Sequence, residues 1–239
     1  WSWSRGLGDV YKRQIEISSS KFLTDVFHEM MPFKSISILS GPSFSNEVSQ
    51  SLPTAVTLAT KDKKDFDNIS KLIPNKEFRI YYSNDLIGTQ IGGALKNIYA
   101  IAAGVAEGLN LGENAKSALI SRSFAEMTRY AKKFKADKNT LFGLSGLGDL
   151  ILTCSSKNSR NTQFGIKLAS SKYDNFLDLL KSQEVTEGYY TVKAVYNISQ
   201  KKNIDMPIME SVYNILYKQH DLKEELSNLL SRPITEEKI

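Results

Sequence analysis

The sequence predicts an α/β segment followed by an all-helical one. Up to Ser83, short apolar runs alternate with helix-like stretches, which is the pattern of a layered α/β unit. From Asn84 onward the strand signals stop and every apolar pattern has a helical period. The chain has 239 residues, 41% hydrophobic and 24% charged. A chain of this size buries about 70% of its unfolded surface, enough for one large core or two smaller ones. The expected fold class is thus α/β plus all-α, with residues 14–83 in the first part and residues 84–239 in the second.

The opening WSWSRGLGDVYKRQ has no apolar stretch long enough for a signal peptide and does not begin with methionine. Its GDVYKRQ run resembles translated adapter sequence, so residues 1–13 are expected to be a non-native leader that carries no function. Residues 18–31 place Phe22, Leu23, Val26, Phe27 and Met30 on one helical face. Residues 35–40 (SISILS), 55–59 (AVTLA) and 78–82 (FRIYY) read as strands, and the polar stretch 61–71 as a solvated helix. Helices are expected at 86–109, 114–134, 162–170, 185–201, 207–219 and 221–230. Pro207 suits a first turn, and Pro233 stops the last helix.

Composition narrows the function. Thirty-one Lys and Arg against twenty-six Asp and Glu leave a net charge of +5, compatible with an anionic substrate. The lysines are dispersed and no basic run interleaves with aromatics, so nucleic-acid binding is not expected. A single cysteine forbids an intrachain disulfide and a multi-cysteine metal site, and it points to a reducing, cytoplasmic setting. Residues 86–105 are nearly uncharged, but Gln90, Lys96 and Asn97 interrupt them, and a lysine at a bilayer centre costs at least about 2.5 kcal/mol. A buried helix is the better reading, and no integral membrane segment is expected.

On that helix Gly88, Gly92, Lys96, Ala100 and Ala103 share a face of small residues around one ammonium, which in dry surroundings needs an anion. The ordinary alternative is a lysine that snorkels to water. The second informative stretch is 141–161, LFGLSGLGDLILTCSSKNSRN. Gly143, Gly146 and Gly148 lead into Asp149, which could simply cap a helix. Thr153, Ser159, Arg160 and Asn161 then gather donors near a helix start, where a guanidinium fork and free N–H groups suit an anion. Taken with Lys96 and Asp149 the stretch gains weight, because a buried lysine then has a carboxylate partner and an anionic substrate has a clamp.

Together, GPSF at 41–44, GALKN at 93–97, GLGDL at 146–150 and SRN at 159–161 resemble the bacterial-type NAD(P)-dependent glycerol-3-phosphate dehydrogenase family, as does EVTEG at 184–188. The resemblance runs from about residue 16 to the C-terminus. It implies a Rossmann-type dinucleotide domain, present here as an incomplete remnant, followed by a helical substrate domain like that of 6-phosphogluconate dehydrogenase. It also implies reversible reduction of dihydroxyacetone phosphate to sn-glycerol 3-phosphate with NADH or NADPH, an oxidoreductase step in glycerophospholipid synthesis. Its carried-over roles are Lys96 as general acid/base, Asp149 as its partner and Thr153 as a nearby donor. Ser159, Arg160 and Asn161 bind substrate, as do Gly41 and Ser43. Ser45, Arg160, Val185 and Glu187 touch the cofactor. The partner is a small molecule, with room for a homodimer.

The departures are specific. No GxGxxG occurs in the chain, and SGLG at 145–148 has no preceding βαβ context. The family's second active-site lysine aligns with Arg13 and Gln14. Ser121, Ser123 and Phe124 stand where the family has Thr, Gly and Leu. On this reading the intact protein is the enzyme and the chain as given turns nothing over. A 3-hydroxy-acid or 6-phosphogluconate dehydrogenase, or a helical binding or dimerisation module without turnover, are the alternatives.

Overall fold

A computed structural model describes residues 15–16, 21–73, 76–170, 186–233 and 236. Residues 1–14 and Val185, on which some of the expectations fall, lie outside the described residues. The first part holds α1 (Leu23–Met30), β1 (Ser37–Ser40), α2 (Ser45–Ser49), β2 (Thr54–Thr60), α3 (Lys63–Lys71) and β3 (Phe78–Ser83). The three strands form one sheet in the order β1-β2-β3. β2 and β3 are parallel, with Thr54 beside Phe78 and Ala59 beside Ser83. β1 runs antiparallel to β2, with Ser37 opposite Thr60 and Ser40 opposite Thr57. That reversal differs from the all-parallel order of a simple dinucleotide fold, and it puts the end of β1 beside Thr57 in the middle of β2.

The second part contains α4 (Leu86–Gly108), α5 (Gly112–Lys133), α6 (Lys138–Phe142), α7 (Asp149–Ser155), α8 (Arg160–Ser170), α9 (Glu187–Lys202), α10 (Pro207–Lys218) and α11 (Leu222–Leu230). A single wide π-type turn at Leu144–Gly148 precedes α7. Aspartates start four of the helices. Asp62, Asp85, Asp137 and Asp221 each accept a backbone N–H from the first turn of α3, α4, α6 and α11. The last turns of α9 and α10 are closed by Asn203 and Gln219 in the left-handed region, at φ 50° and 58°.

Helix α4 is the axis of the molecule. It spans 23 residues, is buried on nearly every side, and packs against α5, α7, α8 and α9. Its glycines permit the close approaches. A methyl group at Gly92 would overlap the Ser145 carbonyl, and one at Gly104 would overlap the Thr162 carbonyl and crowd Gly165. The neutral, small-residue composition of 86–105 thus serves a helix enclosed by other helices. Among the described residues no helix is long and apolar enough to cross a membrane.

Several element bounds shift by a few residues. Helix α1 covers Leu23–Met30 of the expected 18–31, with residues 18–20 outside the described residues, and α8 begins at Arg160 rather than 162. Phe124 fits its site by setting its ring edge-on to Phe142, 5.0 Å away. Ser123 is less well accommodated, since its hydroxyl is buried without a partner.

Candidate active site

The site is built where three helix starts meet the middle of α4. Lys96 lies in the third turn of α4. Its Nζ is 2.5 Å from Oδ2 of Asp149, the first residue of α7. The lysine side chain is 22% exposed and the aspartate 2%. Lys96 therefore neither snorkels freely nor stands alone, since a buried carboxylate holds its ammonium at the edge of solvent. Asp149 is not a helix cap either. Its other oxygen accepts from Thr153 Oγ1 at 3.3 Å, one turn on. Burial pushes the Asp149 carboxyl above the usual range, and Lys96 and Thr153 partly offset this. The π-type turn sets this geometry. It presses Ser145 against Gly92, one turn of α4 before Lys96, and delivers Asp149 to the ammonium.

The second cluster lies one residue further along α4. Asn161 donates to Asn97 Oδ1 at 3.0 Å and accepts from the Gly188 N–H at 3.0 Å. Asn97 also donates to Glu187 Oε2 at 3.4 Å. Glu187 meets the Arg160 guanidinium at 3.2 Å, and the arginine side chain stays 73% exposed. Ser159 is buried, and its Oγ accepts from Thr162 N at 3.3 Å, which leaves its hydroxyl hydrogen free to donate elsewhere. The sequence reading passed over Asn97, although it neighbours Lys96. One residue along a helix turns the side chain by about 100°, so Lys96 faces α7 while Asn97 faces α8 and α9. Both are useful only because α4 is enclosed.

Gly41, Ser43 and Ser45 form the loop that follows β1. Gly41 has φ 151° and lies against Val56, where no side chain fits. Ser43 Oγ donates to the Gly41 carbonyl at 3.0 Å and is otherwise exposed, as is Ser45, the first residue of α2. Pro42 lies 3.9 Å from where a Cβ on Gly148 would sit, so this loop borders the turn that carries Asp149. The one cysteine, Cys154, is fully buried in α7 and its thiol is pushed up to about 12, which excludes it as a nucleophile. Among the described residues no His, Cys, Asp and Glu cluster could hold a metal ion.

A lysine–carboxylate pair at the edge of solvent, on the same stretch of α4 that receives the start of α8 with its exposed guanidinium, is an arrangement able to move a proton and to hold an anion, on a mixed α/β and helical scaffold. Family models agree. The "NAD-dependent glycerol-3-phosphate dehydrogenase C-terminus" matches residues 85–227, and the N-terminus of the same name matches residues 5–66. The chain belongs to the NAD-dependent glycerol-3-phosphate dehydrogenase family. It is 47% identical over 201 residues to the glycerol-3-phosphate dehydrogenase [NAD(P)+] of Solidesulfovibrio magneticus, covering 84% of this chain and 60% of that protein. The Novosphingobium aromaticivorans protein of the same name is 44% identical over 233 residues, covering 96% and 70%. The crystal structure of glycerol-3-phosphate dehydrogenase from Coxiella burnetii superposes with a TM-score of 0.86 at 35% identity, covering 92% of this chain and 67% of that one. The chain thus spans 60 to 70% of the length of these relatives.

Proposed function

We propose that these residues form the substrate half of an enzyme that interconverts dihydroxyacetone phosphate and sn-glycerol 3-phosphate with NADH or NADPH. One observation carries the reading: Lys96 is paired with a buried Asp149 beside the Arg160–Asn161 helix start. In reduction, charge grows on the ketone oxygen. The Lys96 ammonium stabilises it and delivers the proton, and in oxidation the same nitrogen takes the proton back. Asp149 holds the ammonium in place and Thr153 holds Asp149. Arg160 keeps one side of its guanidinium on Glu187 and offers the other to the phosphate, with the Ser159 hydroxyl and the start of α8 adding donors. That anchor aligns the reacting carbon at no cost to the chemistry.

The donor set fits the nicotinamide end of a cofactor. Arg160 and Glu187 meet across the starts of α8 and α9, and Thr186 carries a buried hydroxyl without a partner. Together with Ser45 and Val185 these residues would hold it, and when bound it supplies or takes the hydride. The pyrophosphate end has no glycine-rich turn in this sequence to receive it. The protein with a complete dinucleotide-binding domain is proposed to work in the cytoplasm as a homodimer, which sedimentation of that longer protein checks.

The test is a steady-state assay of cofactor absorbance with dihydroxyacetone phosphate. The 239-residue chain is expected to be silent. A protein that adds a complete dinucleotide-binding domain should turn over, and Lys96→Met in it should cut kcat by a factor of 100 or more (about 10² to 10⁴ for a general acid/base). An unchanged kcat in that variant would overturn the assignment.

A further inference from the structure

The first turn of α9 carries Glu187 and Gly188, yet it has no side-chain N-cap. On its inner side it is wedged tightly. A Cβ on Gly188 would come within 2.6 Å of the Asn97 carbonyl and 2.8 Å of Asn161 Oδ1. Its outer side is gripped from α10. Tyr217 donates its hydroxyl to the Tyr189 carbonyl at 2.9 Å, and its ring stacks on that of Tyr189 with centroids 4.9 Å apart and planes 22° apart. Behind Tyr217 the stack continues through Tyr213 at 5.2 Å to Tyr196, which lies a further 3.7 Å away and nearly parallel. The Lys193 ammonium sits 5.5 Å from the Tyr217 ring centre. Tyrosines 189 and 196 lie two turns apart on α9, and 213 and 217 one turn apart on α10, so the four rings form a rigid stave between the two helices.

We propose that Tyr217 is a positioning residue for the anion site: its hydroxyl and ring hold the first turn of α9, and so Glu187 and Gly188, against Arg160 and Asn161. This rests on the reading of Arg160 and Asn161 as substrate ligands. The stacked rings alone would pack α9 on α10, and a phenylalanine would serve that purpose equally well. The hydroxyl does something else: it reaches the backbone two residues from Glu187. Burial pushes this phenol above its ordinary range, so it stays a neutral donor at any physiological pH. Glu187 joins Arg160 to Asn97, so a shift of this turn moves the guanidinium that meets the phosphate.

The experiment compares the wild-type chain with Tyr217→Phe, Tyr217→Ala and Arg160→Ala. Backbone hydrogen exchange is followed by mass spectrometry, and sn-glycerol 3-phosphate is titrated by phosphorus NMR. Tyr217→Phe keeps the ring and loses one hydrogen bond. It should speed exchange at 187–190 by about three- to tenfold and weaken the phosphate ester by a similar factor, with exchange in α4 and α5 unchanged. Tyr217→Ala should do both more strongly. Wild-type affinity and exchange in Tyr217→Phe would overturn the proposal. So would faster exchange spread evenly through the core, which marks a merely structural role. Wild-type affinity in Arg160→Ala would overturn the reading of the site instead, and exchange at 187–190 would then still decide whether Tyr217 holds the turn.

Discussion

Lys96 and Asp149 show how a pair of charges can be chemically useful and costly together. The carboxylate is almost fully buried and its proton affinity is raised even with the ammonium 2.5 Å away. Removing the lysine leaves an uncompensated buried charge. Lys96→Met should therefore lower stability by about 3 kcal/mol at pH 8, and by less as the pH falls and the raised Asp149 carboxyl takes up its proton. The sign follows from a folded pKa above the unfolded one: the favourable term is complete at low pH and fades as pH rises. Urea denaturation over a series of pH values checks it, and a deficit independent of pH would contradict it. Glu126 provides a second case away from the site. It is 1% exposed and accepts from the Ile208 and Met209 N–H groups at the start of α10 and from Tyr99. Burial raises it to about 7, against the opposing pull of those N–H groups and of Arg129. Its contribution should be complete below about pH 4.5 and lost as pH rises through 7, on the order of 3 kcal/mol. Glu126→Gln should flatten that part of the stability curve, and an unchanged slope would contradict the assignment. At this scale the sequence pointed to Lys96 as a lone charge among small residues, to Asp149 as the residue after a glycine loop, and to Arg160 by its Ser and Asn neighbours at a helix start. It could not point to Asn97 or Glu126, whose roles depend on which helix lies opposite.

Elements position these residues through close backbone approaches. Where α8 crosses α4, Gly104 meets the Thr162 carbonyl and Gly165 meets the Ile101 carbonyl and Val105. Asn161 reaches Asn97 because nothing bulkier separates the two helices. Gly165→Ala should force them apart, cost about 1 to 3 kcal/mol, and weaken binding of sn-glycerol 3-phosphate as Asn161 withdraws. Denaturation and titration on the same sample check both, and unchanged values would show that the crossing tolerates a methyl group. The long helices were legible because a 3.6-residue period sustained over many turns is hard to mimic. Helices α2 and α6, with five residues each, and α7, with seven, are too short to display a period. The π-type turn has no sequence signal beyond its glycines. The direction of β1 was also hidden, since alternation along a strand says nothing about which way its neighbour runs.

On the scale of the whole molecule, the small sheet is the exposed end. Among the described residues β1 and β3 are its outer strands, and Leu39, Tyr81 and Tyr82 are 38 to 48% exposed on them, with Phe33 at 97% in the turn before β1. Unpaired strand edges bearing apolar side chains invite association. The chain should accordingly show concentration-dependent growth in size by light scattering. A single species that stays the same size over a hundredfold range of concentration would contradict this. The alternation of strands and helices was readable from the chain, as was the change of regime after Ser83, because both follow from local periodicity. The pairing of residues 96 and 149, and the approach of residue 161 to residue 97, follow from no local rule, because none relates positions so far apart in sequence.

Arg160 and its neighbours are proposed to act as an anion clamp near Lys96 and Asp149. Calorimetric titration of the chain with sn-glycerol 3-phosphate, run alongside Arg160→Ala, tests that directly. Loss of one charge-assisted phosphate contact is worth about 1.5 to 3 kcal/mol, or roughly ten- to a hundredfold in affinity. Saturable binding at one site by the wild type, weakened at least tenfold in the variant, is the predicted result. Equal affinities would contradict it.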